Sequence, residues 1–96
     1  MILHTVNSSP FSTFALQDCL KLLGADDSLL LTNDAVIAAS VRAECKKSLF
    51  QLHEDRRLFI LDVDLQARGL NALCGQVINY DEFVNLSIKC QSQLAW

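Results

Sequence analysis

The chain opens on an apolar run, Ile2–Val6, that ends on a β-branched residue and meets the polar turn Asn7-Ser8-Ser9-Pro10. A short apolar run closed by turn residues predicts a strand. Ser9-Pro10 then reads as a helix start: proline's fixed φ suits a first helical turn, and a preceding serine can cap its free N–H groups. Ser12 is an alternative cap. Leu16, Cys19, Leu20 and Leu23 fall at i, i+3, i+4 and i+7, one face of a helix, and Gly24 reads as its stop.

The next apolar run, Leu29-Leu30-Leu31 within Ser28–Thr32, is continuous rather than alternating. Strands covered on both faces read this way, which points to a parallel sheet. Asn33-Asp34 end the run and can cap a short helix, Asp34–Ser40, whose Val36, Ile37 and Ala39 pack on the sheet. Over Val41–Asp55, the stripe Cys45, Leu49, Leu52 predicts a third helix, with Arg42, Glu44, Lys46, Lys47, Glu54 and Asp55 on its solvated face. Leu58–Leu61 reads as a third strand. Asp62 to Arg68 reads as a short helix or turn stopped by Gly69, and Gln76–Asn79 as a fourth strand. Asp81 then caps a final helix in which Phe83, Val84 and Ile88 supply the apolar side. The order βαβααβαβα predicts the α/β class: a mostly parallel sheet with helices on both faces and right-handed crossovers. In such a sheet the loop after the first strand lies where open α/β folds bind ligands.

Composition narrows the picture. Ninety-six residues make one domain, 1–96, with a core large enough to fold without disulfides or a metal. Charged residues are 20% of the chain and hydrophobic ones 51%, against a usual charged share of about 25%. A surface partly covered by other chains fits this balance, and so does a small α/β domain with a fully covered sheet. The net charge is −3 and there is no basic run, which argues against direct nucleic-acid binding. There is no cleavable leader pattern and no apolar run of about 18 residues, so no membrane partner is expected and the reading is soluble and cytoplasmic. A strand beginning at Ile2 predicts that no leader is present.

Most catalytic signatures are absent: no P-loop, no dinucleotide fingerprint, no G-x-S-x-G elbow. Cys19, Cys45, Cys74 and Cys90 form no C-x-x-C, and His4 and His53 stand alone, so neither a metal nor a cofactor is expected. His4 reads as a packed strand histidine. Asp62 and Asp64 can pair, or more simply one caps the following turn. Thiol chemistry is what is left. Each cysteine is by default a small buried hydrophobe, yet Cys19, on a helix beside a strand-end loop, is a candidate persulfide carrier. It lies about seven residues into its helix, beyond the first turn where the dipole favours a thiolate. Activation has to come from a neighbour or a partner chain.

The opening ILHTVNSSPF, the segment Asp64-Leu65-Gln66-Ala67-Arg68-Gly69-Leu70, and the ending from Tyr80-Asp81-Glu82-Phe83-Val84 through Gln93-Leu94-Ala95-Trp96 resemble the DsrH/TusB family. The resemblance runs nearly end to end and is weakest over Val41–Asp55. It implies a DsrE/F/H-like three-layer α/β domain. It also implies a role as one of three related small subunits in a heterohexamer, with TusC/DsrF-like and TusD/DsrE-like sisters. Such a complex takes persulfide sulfur from a TusA-like donor and passes it to a TusE/DsrC-like acceptor. One branch serves 2-thiouridine at the tRNA wobble position, and the DsrEFH branch serves sulfur oxidation. In both, the principal persulfide cysteine belongs to the TusD/DsrE-type subunit. Cys19 falls on the first-helix cysteine of DsrH-type members and Cys90 matches one near their C-terminus. The breadth of TusB among bacteria tips the reading to tRNA thiolation, with sulfur oxidation or a non-catalytic scaffold as the alternatives. The resemblance also leaves Trp96 as a candidate interface aromatic, with a frayed end as the plainer reading, and allows Arg68 an intersubunit ion pair.

Overall fold

The computed structural model describes residues 1–40 and 46–96. Its elements are β1 (Ile2–Val6), α1 (Ala15–Leu22), β2 (Ser28–Leu31), a 3₁₀ helix (Asn33–Ala39), α2 (Lys46–Glu54), β3 (Leu58–Leu61), α3 (Asp62–Ala67), β4 (Gln76–Ile78), α4 (Tyr80–Lys89) and β5 (Ser92–Ala95). The five strands form one sheet in the order β4-β3-β2-β1-β5, every pair parallel.

Strand periodicity divides the side chains between the two faces. Val6, Leu29, Leu31, Leu58 and Ile60 join α1, the 3₁₀ helix, α2 and α3 in the larger core. Leu3, Leu30 and Ile78 point the other way, where Cys90 and the half-buried Phe59, Phe83 and Leu86 pack on them. Crossover handedness explains the asymmetry. The steps from β1 to β4 all run in one direction across the sheet, so their right-handed connections share a face. The step from β4 to β5 runs back, and α4 lies on the opposite face. The leucine run of β2 is buried throughout, as its continuous apolar pattern predicts.

Two helix ends follow the pattern and one start departs from it. Gly69, at φ +61°, closes α3: its N–H donates to the Gln66 carbonyl while Leu70 N–H donates to that of Leu65. Arg56 takes the equivalent left-handed place after α2, at φ +60°. Ser9-Pro10, expected to start α1, instead forms a turn: Ser12 and Thr13 donate to the Ser9 carbonyl, and the helix begins at Ala15. Ser12 caps nothing, and the residue before the helix, Phe14, makes no side-chain cap.

Four more expectations are corrected. The cap of α4 is Asn79 rather than Asp81; its side chain accepts from Glu82 N–H while Glu82 accepts from Asn79 N–H. The inner side of α4 is Phe83 and Leu86, and Val84 and Ile88 face solvent. Asn33-Asp34 make no side-chain cap on the 3₁₀ helix. A fifth strand, absent from the expected order, extends the sheet beyond β1. Cys45, Arg42 and Glu44 lie outside the described residues.

Candidate functional site

Cys19 stands in the middle of α1 on the side pressed to the sheet with Leu16. It is 0% exposed. Burial, and after it the negative charge of Asp27, push its thiol up to about 12. The thiolate is the sulfur nucleophile, and at neutral pH only on the order of one Cys19 in a hundred thousand carries it.

Asp27 occupies the loop between α1 and β2 and gathers donors from three places. His4 Nε2 donates to its carboxylate at 2.9 Å, Gly24 N–H at 2.9 Å and Ile2 N–H at 3.0 Å. The His4 bond first, then the two N–H groups, hold Asp27 down at about 2 against the opposing effect of burial. His4, buried on β1, is held from its other side by Trp96, whose Nε1–H donates to Nδ1 at 3.1 Å. An indole N–H only donates, so Nδ1 accepts and the imidazole is the neutral Nε2–H tautomer. Trp96 is half-buried against the larger core. Its ring is thus docked within the chain. The carboxylate that raises the Cys19 thiol is the same one that anchors this hydrogen-bonded line.

The other candidates do not converge on Cys19. Cys90 is buried in the smaller core, across the sheet from it. Cys74 is buried in the larger core. His53 accepts Gly75 N–H at 2.9 Å through Nδ1, which serves the turn before β4. Asp64 neither pairs with Asp62 nor caps α3: it accepts from Asn33 N–H at 2.7 Å and fixes the entry to the 3₁₀ helix. Arg68 is engaged within the chain, with Nη2 2.8 Å and Nε 3.0 Å from Asp34 Oδ1. Among the described residues no three metal-ligating side chains come together.

At the carboxyl ends of the strands, a pocket of about 290 Å³ lies between Ser9, Asp34, Ile37, Arg68 and Leu70, with the Arg68–Asp34 pair on its wall. The loop before α1 presents Phe11 and Phe14 to solvent, 63% and 72% exposed. Tyr80, Val84 and Ile88, four residues apart along α4, form a second exposed apolar line. Sequence reasoning missed Asp27 altogether. Its one signal is an acidic residue three past Gly24 and next to the buried strand β2.

Comparison with known proteins places this architecture. The family model described as DsrH-like protein matches residues 8–93. The protein TusB of Yersinia pestis is 40% identical over 101 aligned positions, covering 99% of this chain and all of the relative, and the protein TusB of Yersinia pseudotuberculosis matches to the same extent. The crystal structure of the YchN protein from E. coli superposes with a TM-score of 0.82 at 17% identity, over 99% of this chain and 97% of that one. It shares the fold. With a family match over most of its length and full-length TusB relatives, this chain belongs to the DsrH/TusB family.

Proposed function

We propose that this chain is a subunit of a persulfide sulfur-relay complex that supports 2-thiolation of the wobble uridine in tRNA, and that it contributes surface rather than a sulfur-carrying thiol. The TusB name of its curated relatives supports the tRNA branch over a DsrH-type role in sulfur oxidation. In this reading TusC/DsrF-like and TusD/DsrE-like sisters complete a cytoplasmic heterohexamer. A TusA-like donor and a TusE/DsrC-like acceptor reach the relay cysteine on the TusD-like sister.

The observation that carries this reading is the closed state of Cys19. In persulfide transfer an acceptor thiolate attacks the outer sulfur of the donor persulfide, the donor's S–S bond breaks, and the donor cysteine leaves as a thiolate. The acceptor therefore needs charge and access. Cys19 is fully buried and its thiol is pushed up to about 12. Among the described residues the other cysteines, Cys74 and Cys90, are buried as well. The exposed Phe11, Phe14, Tyr80 and Ile88 support an interaction role, since large apolar side chains open to water favour contact with other chains.

Intact-mass analysis of the complex of this chain with its sister subunits, after incubation with a persulfide donor, tests the proposal. Peptide mapping should locate the added sulfur on the sister and leave Cys19 unmodified. A Cys19→Ser complex should relay sulfur at the wild-type rate. Stoichiometric sulfur on Cys19, or lost relay in an intact Cys19→Ser complex, would instead make Cys19 a carrier.

A further inference from the structure

We infer that the outward face of α4 is a homotypic docking surface, on which α4 of a second copy of this chain lies antiparallel, related by a two-fold axis at Val84 and Asn85. The inference rests on α4 alone and stands apart from the sulfur-relay reading. α4 packs inward through Phe83 and Leu86. Tyr80, Val84 and Ile88, at i, i+4 and i+8, form an exposed row on another side. Ile88, 77% exposed, is the most open large apolar side chain among the described residues. The Tyr80 ring already stands edge-on to Phe83, centroids 5.7 Å apart, so it loses less freedom on docking than a loose side chain does. A helix that packs inward and carries a second apolar row outward has more apolar surface than its own domain covers.

The charges of α4 say what covers that row. There are three: Asp81, Glu82 and Lys89. Glu82 is folded back on Asn79 N–H in the helix cap. Asp81 and Lys89 are exposed and form no ion pair among the described residues. The clefts beside Lys89 hold Asp26, Asp55 and Glu82 with Arg56 and Arg57, and Lys89 pairs with none of these acids. Asp81, Asn85 and Lys89 make a second row, acid, amide and base, that runs beside the apolar one.

Both rows are complementary to themselves when reversed. A two-fold axis sets residue i against j of the second copy and j against i. Asp81 then meets Lys89 of the second copy, Lys89 meets its Asp81, and the two Asn85 amides, each donor and acceptor, face one another. In the apolar row Tyr80 covers Ile88 of the second copy, and the smaller Val84 side chains at the centre let the helix axes approach to about 8–10 Å. A parallel pair would instead set acid on acid and base on base. A helix of another protein fits both rows only by carrying the same pattern.

Sedimentation equilibrium of the full chain between about 1 and 500 μM tests the inference. A monomer–dimer equilibrium with Kd on the order of 10–100 μM is expected, as suits a small interface. Val84→Lys, at an exposed position where it should leave folding intact, should abolish the dimer by setting two ammonium groups together on the axis. Asp81→Lys or Lys89→Glu alone should weaken it about tenfold, since each turns two opposite charge pairs into two like pairs. Combining them restores both pairs with the signs exchanged, and affinity should return to within about threefold of the wild type. Damage to the helix itself, from charges set against its dipole, would instead accumulate in the double variant. Three results would overturn the inference: a monomer throughout that range, self-association that Val84→Lys leaves intact, or a double variant no tighter than the single ones.

Discussion

Trp96 donates its Nε1–H to His4 Nδ1 at 3.1 Å across 92 residues of sequence. β5 and β1 are already paired through the backbone, with His4 opposite Leu94, and this bond adds a side-chain tie at the end of that ladder. It also orients the line Trp96–His4–Asp27, in which every buried polar atom has a partner. Trp96→Phe keeps a ring on the core but leaves Nδ1 of a buried histidine without a donor. The expected cost is about 1–2 kcal/mol, and Trp96→Ala should cost roughly 1 kcal/mol more through lost packing. Urea unfolding followed by circular dichroism measures both, since the variants lose the chain's single tryptophan. A Trp96→Phe variant as stable as the wild type would show that the bond contributes nothing.

Asp27 should set the acid limb of stability. Its carboxyl titrates at about 2 in the folded chain, against 3.8 as the ordinary value. Between those values the unfolded chain binds the extra proton, so stability rises with pH. The contribution is complete above about pH 4 and is lost as pH falls toward 2; for a side chain 13% exposed it is on the order of 2 kcal/mol. Asp27→Asn should lower stability at neutral pH and flatten the profile between pH 4 and 2. An unchanged slope in that window would place the acid sensitivity on other carboxylates.

Besides β4, whose one buried residue is Ile78, three strands were legible because burial on both faces writes itself as Val6-, Leu31- and Ile60-type continuity. β5 was not. Ser92-Gln93-Leu94-Ala95 is exposed throughout, has no alternation to read, and is a strand because the open edge of β1 offers it backbone partners. Val84 and Ile88 have helical spacing and still face outward, since α4 packs through Phe83 and Leu86. For the site, periodicity put Cys19 on the apolar face of α1 and could not say how deep. Depth depends on Leu29, Val36 and other residues distant in sequence that share its cluster. Asp27 was invisible for the same reason: its donors Ile2, His4 and Gly24 meet only in the fold.

Two glycines with left-handed backbones should respond differently to alanine. Gly69, at φ +61°, has open space where a Cβ would sit. Gly69→Ala should therefore cost only the conformational strain, about 1 kcal/mol. At Gly75, φ +87°, a Cβ would lie 2.7 Å from Ile60 Cδ1 and 3.0 Å from Leu58 Cγ. Gly75→Ala adds overpacking of the core beside β3, for a total of roughly 2–4 kcal/mol. Thermal unfolding of the two variants should rank them in that order, and equal losses would mean that the core beside Gly75 yields without strain.

Cys19 should behave as a reporter of opening rather than as a reactive thiol. With its thiol at about 12 and no solvent contact, alkylation requires both exposure and ionisation. In the unfolded chain the second requirement relaxes, because the thiol returns to an ordinary value of about 8.5. Iodoacetamide labelling mapped to the Cys19 peptide should thus be slowed by about a thousandfold or more relative to urea-unfolded protein. The rate should rise in step with the loss of stability in Trp96→Ala and Asp27→Asn. A native rate near that of a free thiol, insensitive to those substitutions, would mean that α1 opens locally and lets sulfur chemistry reach Cys19 without unfolding. Labelling in the assembled complex would then decide between packing and carriage.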